Sequence, residues 1–254
     1  MPKYQKPPLP VPNRRDSLWR GCLHAYAAGW EKGFRDVSLE TAAVSDVKKT
    51  VGTWSAQPDD GNYSTGIGGR LVSSSTLAGI IKRLTWPNTS GRFNVAAGFS
   101  CAVLVRLNVL PLVGSAMSAY SQAVDGNNFS FVVDIFNPGV PIWVVVGMTV
   151  PPVQVGIGST TAPLVGRTDL IVGVHDLATL KIYVNGNQEG SIAYATPIQT
   201  LPATPIGLSQ LDFAGPGNGL DADYGMCAFW NRPLANSEIN RLTADPYRMW
   251  RNQG

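Results

Sequence analysis

The sequence predicts an all-β fold: a two-sheet antiparallel β-sandwich with an extended N-terminal arm and one short C-terminal helix. Short runs with alternating apolar and polar residues recur along the chain, and clusters of turn-forming residues separate them about every ten residues. Turn formers are abundant, with 27 Gly and 19 Pro in 254 residues. Helical periodicity is confined to one stretch near the C-terminus. Many short strands and few helices are therefore expected.

The clearest strands lie in the C-terminal third of the chain. Residues 170–175 alternate with period two, and residues 180–184 alternate again before Asn185-Gly186. Asn-Gly readily takes positive φ at both centres of a type I′ turn, so the chain should reverse there. The other strands predicted in this part are residues 188–193, 206–210 and 224–230. Strands predicted earlier in the chain are residues 23–27, 102–107, 129–136, 142–148 and 153–157.

A short helix should follow the last strand. Asn236 can cap it, Glu238 lies in the first turn where the helix dipole favours an acid, and Ile239 and Leu242 share one face. Pro246 prevents the helix from continuing. The tail after it is too apolar to remain in water and should pack against the sheet through Tyr247, Met249 and Trp250.

Three segments resemble one known family. Residues 180–186 (LKIYVNG), 229–234 (FWNRPL) and 237–239 (SEI) are similar to the laminin-G-like, or concanavalin A-like, jelly-roll domains. In that family a YVNG hairpin is followed by a W-N-R-x-L-x-x-x-E-I ending. The family usually has Ser or Thr where Ala235 stands, so the helix is expected to begin at Asn236. The resemblance implies a concanavalin A-like jelly roll.

The resemblance also suggests a context. Residues 245–250 (DPYRMW) resemble the tail of such domains in virion proteins of tailed bacteriophages. The expected function is that of a non-enzymatic virion structural protein, a capsid decoration or cement protein that binds neighbouring subunits. The expected partners are a major capsid protein or tail proteins, in a homo-oligomer or on a lattice. The protein would be made in the host cytoplasm and reside in the virion.

The N-terminal arm is expected to make part of these contacts. Residues 1–20 are rich in Pro and basic residues, whereas residues 21–254 have the composition of the sandwich domain. Such an arm has little to bury by itself and becomes ordered when another surface holds it. The candidate partner-binding residues are Lys3, Tyr4, Lys6, Arg14 and Arg15.

Charge and hydropathy argue against two classes of partner. Charged residues make up 15% of the chain and the net charge is +3, without the clustered cations and interleaved aromatics of a nucleic-acid-binding face. The most apolar run, residues 140–150, is shorter than the ~20 residues that a membrane helix needs. Neither nucleic acid nor a membrane is an expected partner. An N-terminal signal core is not expected either, since Pro7, Pro8, Pro10 and Pro12 interrupt the start of the chain.

The residues that could carry catalysis are few. A glycoside hydrolase needs two carboxyl groups about 5–10 Å apart, yet no Glu in this chain has an acid two residues away. Glu189 lies in a hairpin and Glu238 in a helical turn, so both have structural reasons to be there. His24 and His175 are too few for a histidine-based metal site or triad, and His175 is interpreted as a hydrogen-bonded turn residue. An enzyme is not expected, and a glycan hydrolase is the least favoured of the functional hypotheses.

Calcium and glycans stay open as ligands. Asp212, Asp221 and Asp223 form the acidic cluster that could hold calcium, which prefers six or more oxygen ligands. No other cofactor is expected. A glycan would need an exposed aromatic platform beside amides or carboxylates; Trp143 and Trp230 are predicted to lie in the core, whereas Trp86 is the most loop-like Trp. The alternative function is a carbohydrate-binding adhesion module of a tail fibre or baseplate.

The cysteines give a further prediction. Cys22, Cys101 and Cys227 are odd in number, widely spaced and set in apolar surroundings. Buried free thiols are favoured over a disulfide, and no CxxC motif suggests zinc or redox chemistry.

Overall fold

The computed structural model describes residues 16–27, 53–54, 72–73, 84–86, 88, 93, 98–111, 115–125, 128–137, 142–147, 154–201, 204–208, 220 and 222–250. Its strands are β1 (Cys22–Ala27), β2 (Thr53–Trp54), β3 (Val72–Ser73), β4 (Leu84–Trp86), β5 (Phe99–Leu107), β6 (Ser115–Asp125), β7 (Asn128–Asn137), β8 (Ile142–Gly147), β9 (Gln154–Gly158), β10 (Thr168–His175), β11 (Thr179–Val184), β12 (Asn187–Ala193), β13 (Ile206–Leu208) and β14 (Ala222–Trp230). One helix, α1 (Asn236–Ala244), and two 3-10 turns (Ser17–Trp19 and Arg248–Trp250) complete the described elements.

The strands form two antiparallel sheets, as the sequence predicts. The first sheet has the order β1-β14-β5-β10-β11-β12, and β3 also pairs with β14. The second sheet has the order β2-β4-β13-β6-β7-β8-β9. Consecutive strands pair in β6-β7-β8-β9 and β10-β11-β12, whereas β1 pairs with β14 and β13 pairs with β4 and β6, which are distant in the chain, as in a jelly roll. The predicted two-sheet sandwich is confirmed.

The two sheets pack face to face around an apolar core. Phe131 of the second sheet stacks on Phe229 of the first with ring centroids 5.1 Å apart, and Phe99 stacks on Phe229 at 5.6 Å. Burial of large aromatic rings contributes strongly to stability. Along β8, every second residue belongs to this core: Ile142, Val144 and Val146. The opposite face of the second sheet is therefore formed by the residues between them.

A second apolar cluster covers the outer face of the first sheet. Trp230 is fully buried there, and its Nε1 donates a hydrogen bond to Leu18 O at 2.6 Å. Trp19 Nε1 donates to Met249 O at 2.8 Å. The chain entering β1 and the chain leaving α1 thus lie side by side on this sheet. The predicted packing of the C-terminal tail is confirmed for Tyr247 and Met249, whereas the side chain of Trp250 lies outside the described residues.

Buried charges join these two terminal segments. Asp16 accepts hydrogen bonds from Leu18 N at 3.0 Å and from Arg248 Nε at 2.6 Å. Glu238 accepts from both terminal nitrogens of Arg232 and from Ser17 Oγ. We call Asp16, Ser17, Arg232, Glu238 and Arg248 the terminal ion-pair network. Residues 16–20, which the sequence assigns to the arm, therefore pack on the sandwich, and residues 1–15 lie outside the described residues.

Local turns and caps match the sequence in one case and differ in another. Asn185 and Gly186 have φ of 51° and 85°, as a type I′ turn requires. The prediction that Asn236 caps α1 is wrong, because the N-cap is Ala235 and Asn236 is the first helical residue. Ala has no side-chain acceptor, so only half of a capping box forms, with Glu238 Oε2 accepting from Ala235 N. Asn236 Oδ1 instead accepts from Tyr183 OH at 2.9 Å.

The cysteines and the helix content agree with the sequence. Cys22, Cys101 and Cys227 are free and buried, so the predicted free thiols are confirmed. Burial raises the pKa of the Cys101 thiol to about 12. In the described part of the chain, no helix has the length and apolar character needed to cross a bilayer.

Candidate functional site

The outer face of the second sheet carries an unusual set of polar side chains. On β6 and β7 the core residues include Met117, Tyr120, Val133 and Ile135. Ala119 is also a core residue, because a register shift between Ser118 and Tyr120 interrupts the alternation. Apart from this shift, side chains alternate along a strand, so the remaining residues between the core positions lie on the outer face. These outer positions hold Ser118 and Ser121 of β6 and Asp134 of β7, and we call the three residues the polar patch.

Strand register brings the patch together. Ser118 is the cross-strand partner of Asp134, and Ser121 is the partner of Val132, two residues before Asp134. Directly opposed residues in an antiparallel pair have Cβ atoms about 5 Å apart. On the far side of Asp134 its partner on β8 is Trp143, whose own partner on β9 is Gly158. A hydroxyl, a carboxyl, a tryptophan position and a glycine thus follow one another over about 14 Å of the sheet.

The polar patch has unused hydrogen-bonding capacity. Ser118, Ser121 and Asp134 are 1%, 0% and 6% exposed. Within the described residues, Ser118 Oγ, Ser121 Oγ and Asp134 Oδ1 have no hydrogen-bond partner. Leaving a buried polar group unsatisfied costs about 1–3 kcal/mol. Such groups are rarely retained together unless something else satisfies them.

Asp134 is uncharged in much of the neutral range. Burial raises its pKa to about 8, because an apolar environment disfavours the carboxylate. Its cross-strand partners in the two strand pairs are Ser118 and Trp143, and neither residue type titrates in this range. A protonated carboxyl both donates and accepts hydrogen bonds, and so does each serine hydroxyl. The patch is therefore chemically suited to hydroxyl-bearing ligands.

The calcium hypothesis is only partly described by the structure. Asp223 lies at the start of β14 in the first sheet, where its Oδ1 accepts a hydrogen bond from Asn108 Nδ2 at 3.1 Å. Asp212 and Asp221 lie outside the described residues. The described ranges contain no group of three or more His, Cys, Asp or Glu side chains arranged to hold a metal ion. The calcium site stays a prediction, as do the arm residues Lys3, Tyr4, Lys6, Arg14 and Arg15, which also lie outside the described ranges.

The two described glutamates have structural partners. Glu189 Oε2 accepts from Thr161 N at 2.7 Å, which links β12 at the edge of the first sheet to the loop after β9 at the edge of the second. Burial raises the pKa of Glu238, but hydrogen bonds from Arg232, Ala235 and Ser17 outweigh it and lower the pKa to about 2. Both carboxylates are therefore occupied by protein groups.

The histidines are buried. His175 is fully buried, and its Nε2 lies 3.2 Å from Tyr194 O. Burial lowers its pKa, although that contact and Asp176 oppose the shift. His24 Nδ1 lies 2.9 Å from Tyr120 OH in the inter-sheet core. The interpretation of His175 as a turn residue understated its burial, because the strand extends to this residue and turns its side chain inward.

The tryptophans divide differently from the prediction. Trp230 is in a core, as expected, but in the cluster on the outer face of the first sheet. Trp143 alternates with core residues, so its position belongs to the outer face of the second sheet; its side chain lies outside the described residues. Trp86 ends strand β4, so its backbone is not in a loop.

Sequence reasoning missed the polar patch. Its strand β6 (SAMSAYSQAVD) contains mainly small residues and was not predicted as a strand. One signal was available: Asp134 is a lone acid inside the apolar run of β7 (NFSFVVDIFN). An unpaired acid in a buried strand is a candidate for function.

Solved structures of similar fold include a sugar-binding example. Domain 4 of AbnA, an extracellular arabinanase from Geobacillus stearothermophilus solved with arabinotriose, is 14% identical with a TM-score of 0.60, covering 87% of this chain and 98% of that domain. The binding domain of Paraclostridial Mosquitocidal Protein 1 is 11% identical with a TM-score of 0.64, covering 92% of this chain and 56% of that one. At these identities the likeness concerns the fold alone.

A larger enzyme shares the fold over part of its length. Trypanosoma rangeli sialidase is 11% identical with a TM-score of 0.57, and the match covers 91% of this chain but 34% of the sialidase. The chain thus spans about a third of the length of that protein. No curated protein matches at the sequence level.

The family assignment comes from a sequence-family model. The model of the laminin-G-like family described as the concanavalin A-like lectin/glucanases superfamily matches residues 81–240. That range includes β4 to β14, the first five residues of α1 and the whole polar patch. The chain therefore belongs to this family of concanavalin A-like domains.

Proposed function

We propose that the chain is a non-catalytic carbohydrate-binding module whose ligand contacts the polar patch. The observation that carries the proposal is the group of three buried polar atoms, Ser118 Oγ, Ser121 Oγ and Asp134 Oδ1, that have no hydrogen-bond partner among the described residues and lie on one sheet face. A sugar presents several hydroxyl groups from one rigid ring. The three side chains are at most 6% exposed, so the ligand displaces the protein atoms that cover them. Its hydroxyls then satisfy the carboxyl and the two serines, which removes an energetic cost of the free protein.

Two glycines occupy strand positions beside the patch. Ser121 pairs with Gly207 on β13, and Trp143 pairs with Gly158 on β9. Glycine adds no side chain to the sheet face at these two positions. Trp143 occupies the β8 position that pairs with Asp134, and an aromatic residue together with a carboxyl residue is a common composition of sugar-binding sites.

The fold supports the same class of function. Membership of a lectin and glucanase superfamily and the shared fold with a domain solved with arabinotriose both agree with carbohydrate binding. Fold alone does not fix function, so the patch carries the argument.

The non-catalytic part of the proposal rests on carboxyl spacing. Hydrolysis of a glycosidic bond needs a second carboxyl about 5–10 Å from the first. Among the described side chains on the outer face of the second sheet, Asp134 is the sole carboxyl, and Glu189 and Glu238 are bound by protein groups elsewhere. We therefore propose recognition without bond cleavage.

Attachment to a tailed phage particle stays a separate prediction. It rests on the resemblance of residues 245–250 and on the composition of residues 1–15. A carbohydrate-binding module on a tail fibre or baseplate would be consistent with both carbohydrate binding and attachment to a phage particle. A capsid cement protein would not need the polar patch.

A glycan array tests the proposal. The full chain should bind a restricted set of oligosaccharides, and Ser118→Ala combined with Asp134→Asn should weaken binding to that set by about tenfold or more. Ser191→Ala on β12 is the matched control, because Ser191 is exposed on the other sheet. An array on which the full chain binds no oligosaccharide would contradict the proposal. So would a variant with both Ser118→Ala and Asp134→Asn that binds the same oligosaccharides with unchanged affinity.

A further inference from the structure

The strands around the polar patch lack positive charge. Between Arg106 and Arg167 the sequence contains no Lys, Arg or His. This range covers β6, β7, β8 and β9 together with all the turns that connect them. Its acidic residues are Asp125, the last residue of β6, and Asp134 of β7.

The described cations belong to the other sheet and its surroundings. Arg232 and Arg248 serve the terminal ion-pair network, Arg167 pairs with Asp169, and Lys181 pairs with Asp176. Arg106 lies on β5 of the first sheet. Within the described ranges, therefore, the outer face of the second sheet offers hydroxyl and carboxyl groups without a cation.

We infer that the polar patch selects uncharged glycans over glycans that carry carboxylate or sulfate groups. This inference rests on the proposed function and narrows it to a substrate class. An anionic sugar needs Arg, Lys or converging N–H donors to replace the water that its charge loses on binding. Burying an unpaired anion next to Asp134 is costly, whereas a neutral sugar brings hydroxyls that pair with Ser118, Ser121 and Asp134.

The protonation of Asp134 agrees with this selectivity. Its pKa of about 8 indicates surroundings that do not stabilise negative charge. Ser118 of β6 and Trp143 of β8 are its cross-strand partners, and Val132 and Phe136 occupy the positions two residues away on β7. A second negative charge brought by a ligand would meet the same environment.

Matched pairs of ligands test the inference. Oligogalacturonates and their methyl esters have the same rings and differ in charge, and lactose can be compared with sialyllactose and sulfated lactose. Binding of the full chain is measured on an array that holds these pairs with neutral arabino-, xylo-, cello- and malto-oligosaccharides. We expect at least about tenfold preference for neutral members, and affinities that change less than about twofold between 50 and 500 mM NaCl.

The outcomes separate this inference from the proposed function. Preference for the acid-bearing members, with affinity that falls as salt rises, would overturn the inference while leaving carbohydrate binding in place. Neutral glycans that bind Asp134→Asn and Ser118→Ala as tightly as the unaltered chain would overturn it too, because the patch would not be the selective element. An array without any hit would remove the proposed function and the inference together.

Discussion

Ser118 and Asp134 face each other across the β6–β7 ladder on the outer face of the second sheet. Both are more than nine-tenths buried, and neither Ser118 Oγ nor Asp134 Oδ1 has a hydrogen-bond partner among the described residues. A sandwich that needed this pair only for stability would gain by replacing both with apolar residues. Their presence therefore favours a role in binding.

Asp134→Asn should change how stability depends on pH. Burial raises the pKa of Asp134 from 3.8 to about 8. Below about pH 4 the carboxyl is protonated in both the folded and the unfolded chain. Between about pH 4 and 8 it ionises in the unfolded chain only, so a rise in pH increasingly favours the unfolded chain. The free energy of unfolding of the unaltered chain should therefore fall by up to about 1.4 kcal/mol per pH unit between about pH 4 and 8 because of this group. Urea unfolding at several pH values measures the free energy of unfolding.

The matched control for that experiment is Ser118→Ala. It alters the same patch but retains the carboxyl, so it should keep the pH dependence of the unaltered chain. Equal slopes for Asp134→Asn and the unaltered chain between pH 4 and 8 would show that Asp134 is not buried as described.

Gly173→Ala should destabilise the sandwich at the contact between its sheets. A Cβ at Gly173 would lie 2.8 Å from Val144 Cγ1 and 3.0 Å from Cys101 Sγ, closer than normal packing allows. Overpacking of this kind costs about 1–3 kcal/mol. Thermal and urea unfolding would measure this decrease in the free energy of unfolding. Gly173→Ala should cost less in a Val144→Ala background, and additive effects of the two substitutions would speak against direct contact.

Asp16→Ala should lower stability through the terminal ion-pair network. The Asp16 side chain is 2% exposed and holds Arg248 at 2.6 Å, so its removal leaves a largely buried guanidinium unpaired. The free energy of unfolding of Asp16→Ala should be lower than that of the unaltered chain by about 3 kcal/mol. Lys181→Met is the control, because it breaks the more exposed pair with Asp176 and should cost under about 1 kcal/mol. Similar losses in the two variants would mean that residues 16–20 are not packed on the fold.

The three thiols should be unreactive in the folded chain. Cys22, Cys101 and Cys227 are 0% exposed, and thiolate is the reactive form. Ellman's reagent at pH 8 should label none of them before unfolding and all three in guanidinium chloride. Rapid labelling of the native chain, above all at Cys101 with its pKa of about 12, would contradict the described core.

Local signals in the sequence predicted local structure well. The β11–β12 hairpin follows from period-two alternation and an Asn-Gly turn, both of which act within a few residues. The Ala235 cap differs from prediction because Glu238 and the contact of Asn236 with Tyr183 fix the start of the helix. The second contact joins residues 53 positions apart, which no local pattern reveals.

The candidate site depends on non-local register. β6 contains one aromatic residue, Tyr120, and one β-branched residue, Val124, and most of its other residues are Ser or Ala, so its sequence does not mark it as a strand. Only its pairing with β7 shows that Ser118 meets Asp134, and only the sandwich shows which face each residue occupies. Asp134 could have been selected from the sequence as a lone acid in an apolar strand, but its partners could not.

The most direct test of carbohydrate binding through the polar patch is titration calorimetry with the strongest neutral oligosaccharide from the array. The affinity should fall by about tenfold or more for Ser118→Ala, Ser121→Ala and Asp134→Asn combined, while the Ser191→Ala chain keeps the affinity of the unaltered chain. Equal affinities for the unaltered chain and the triple variant, with both folded by circular dichroism, would contradict the proposed site.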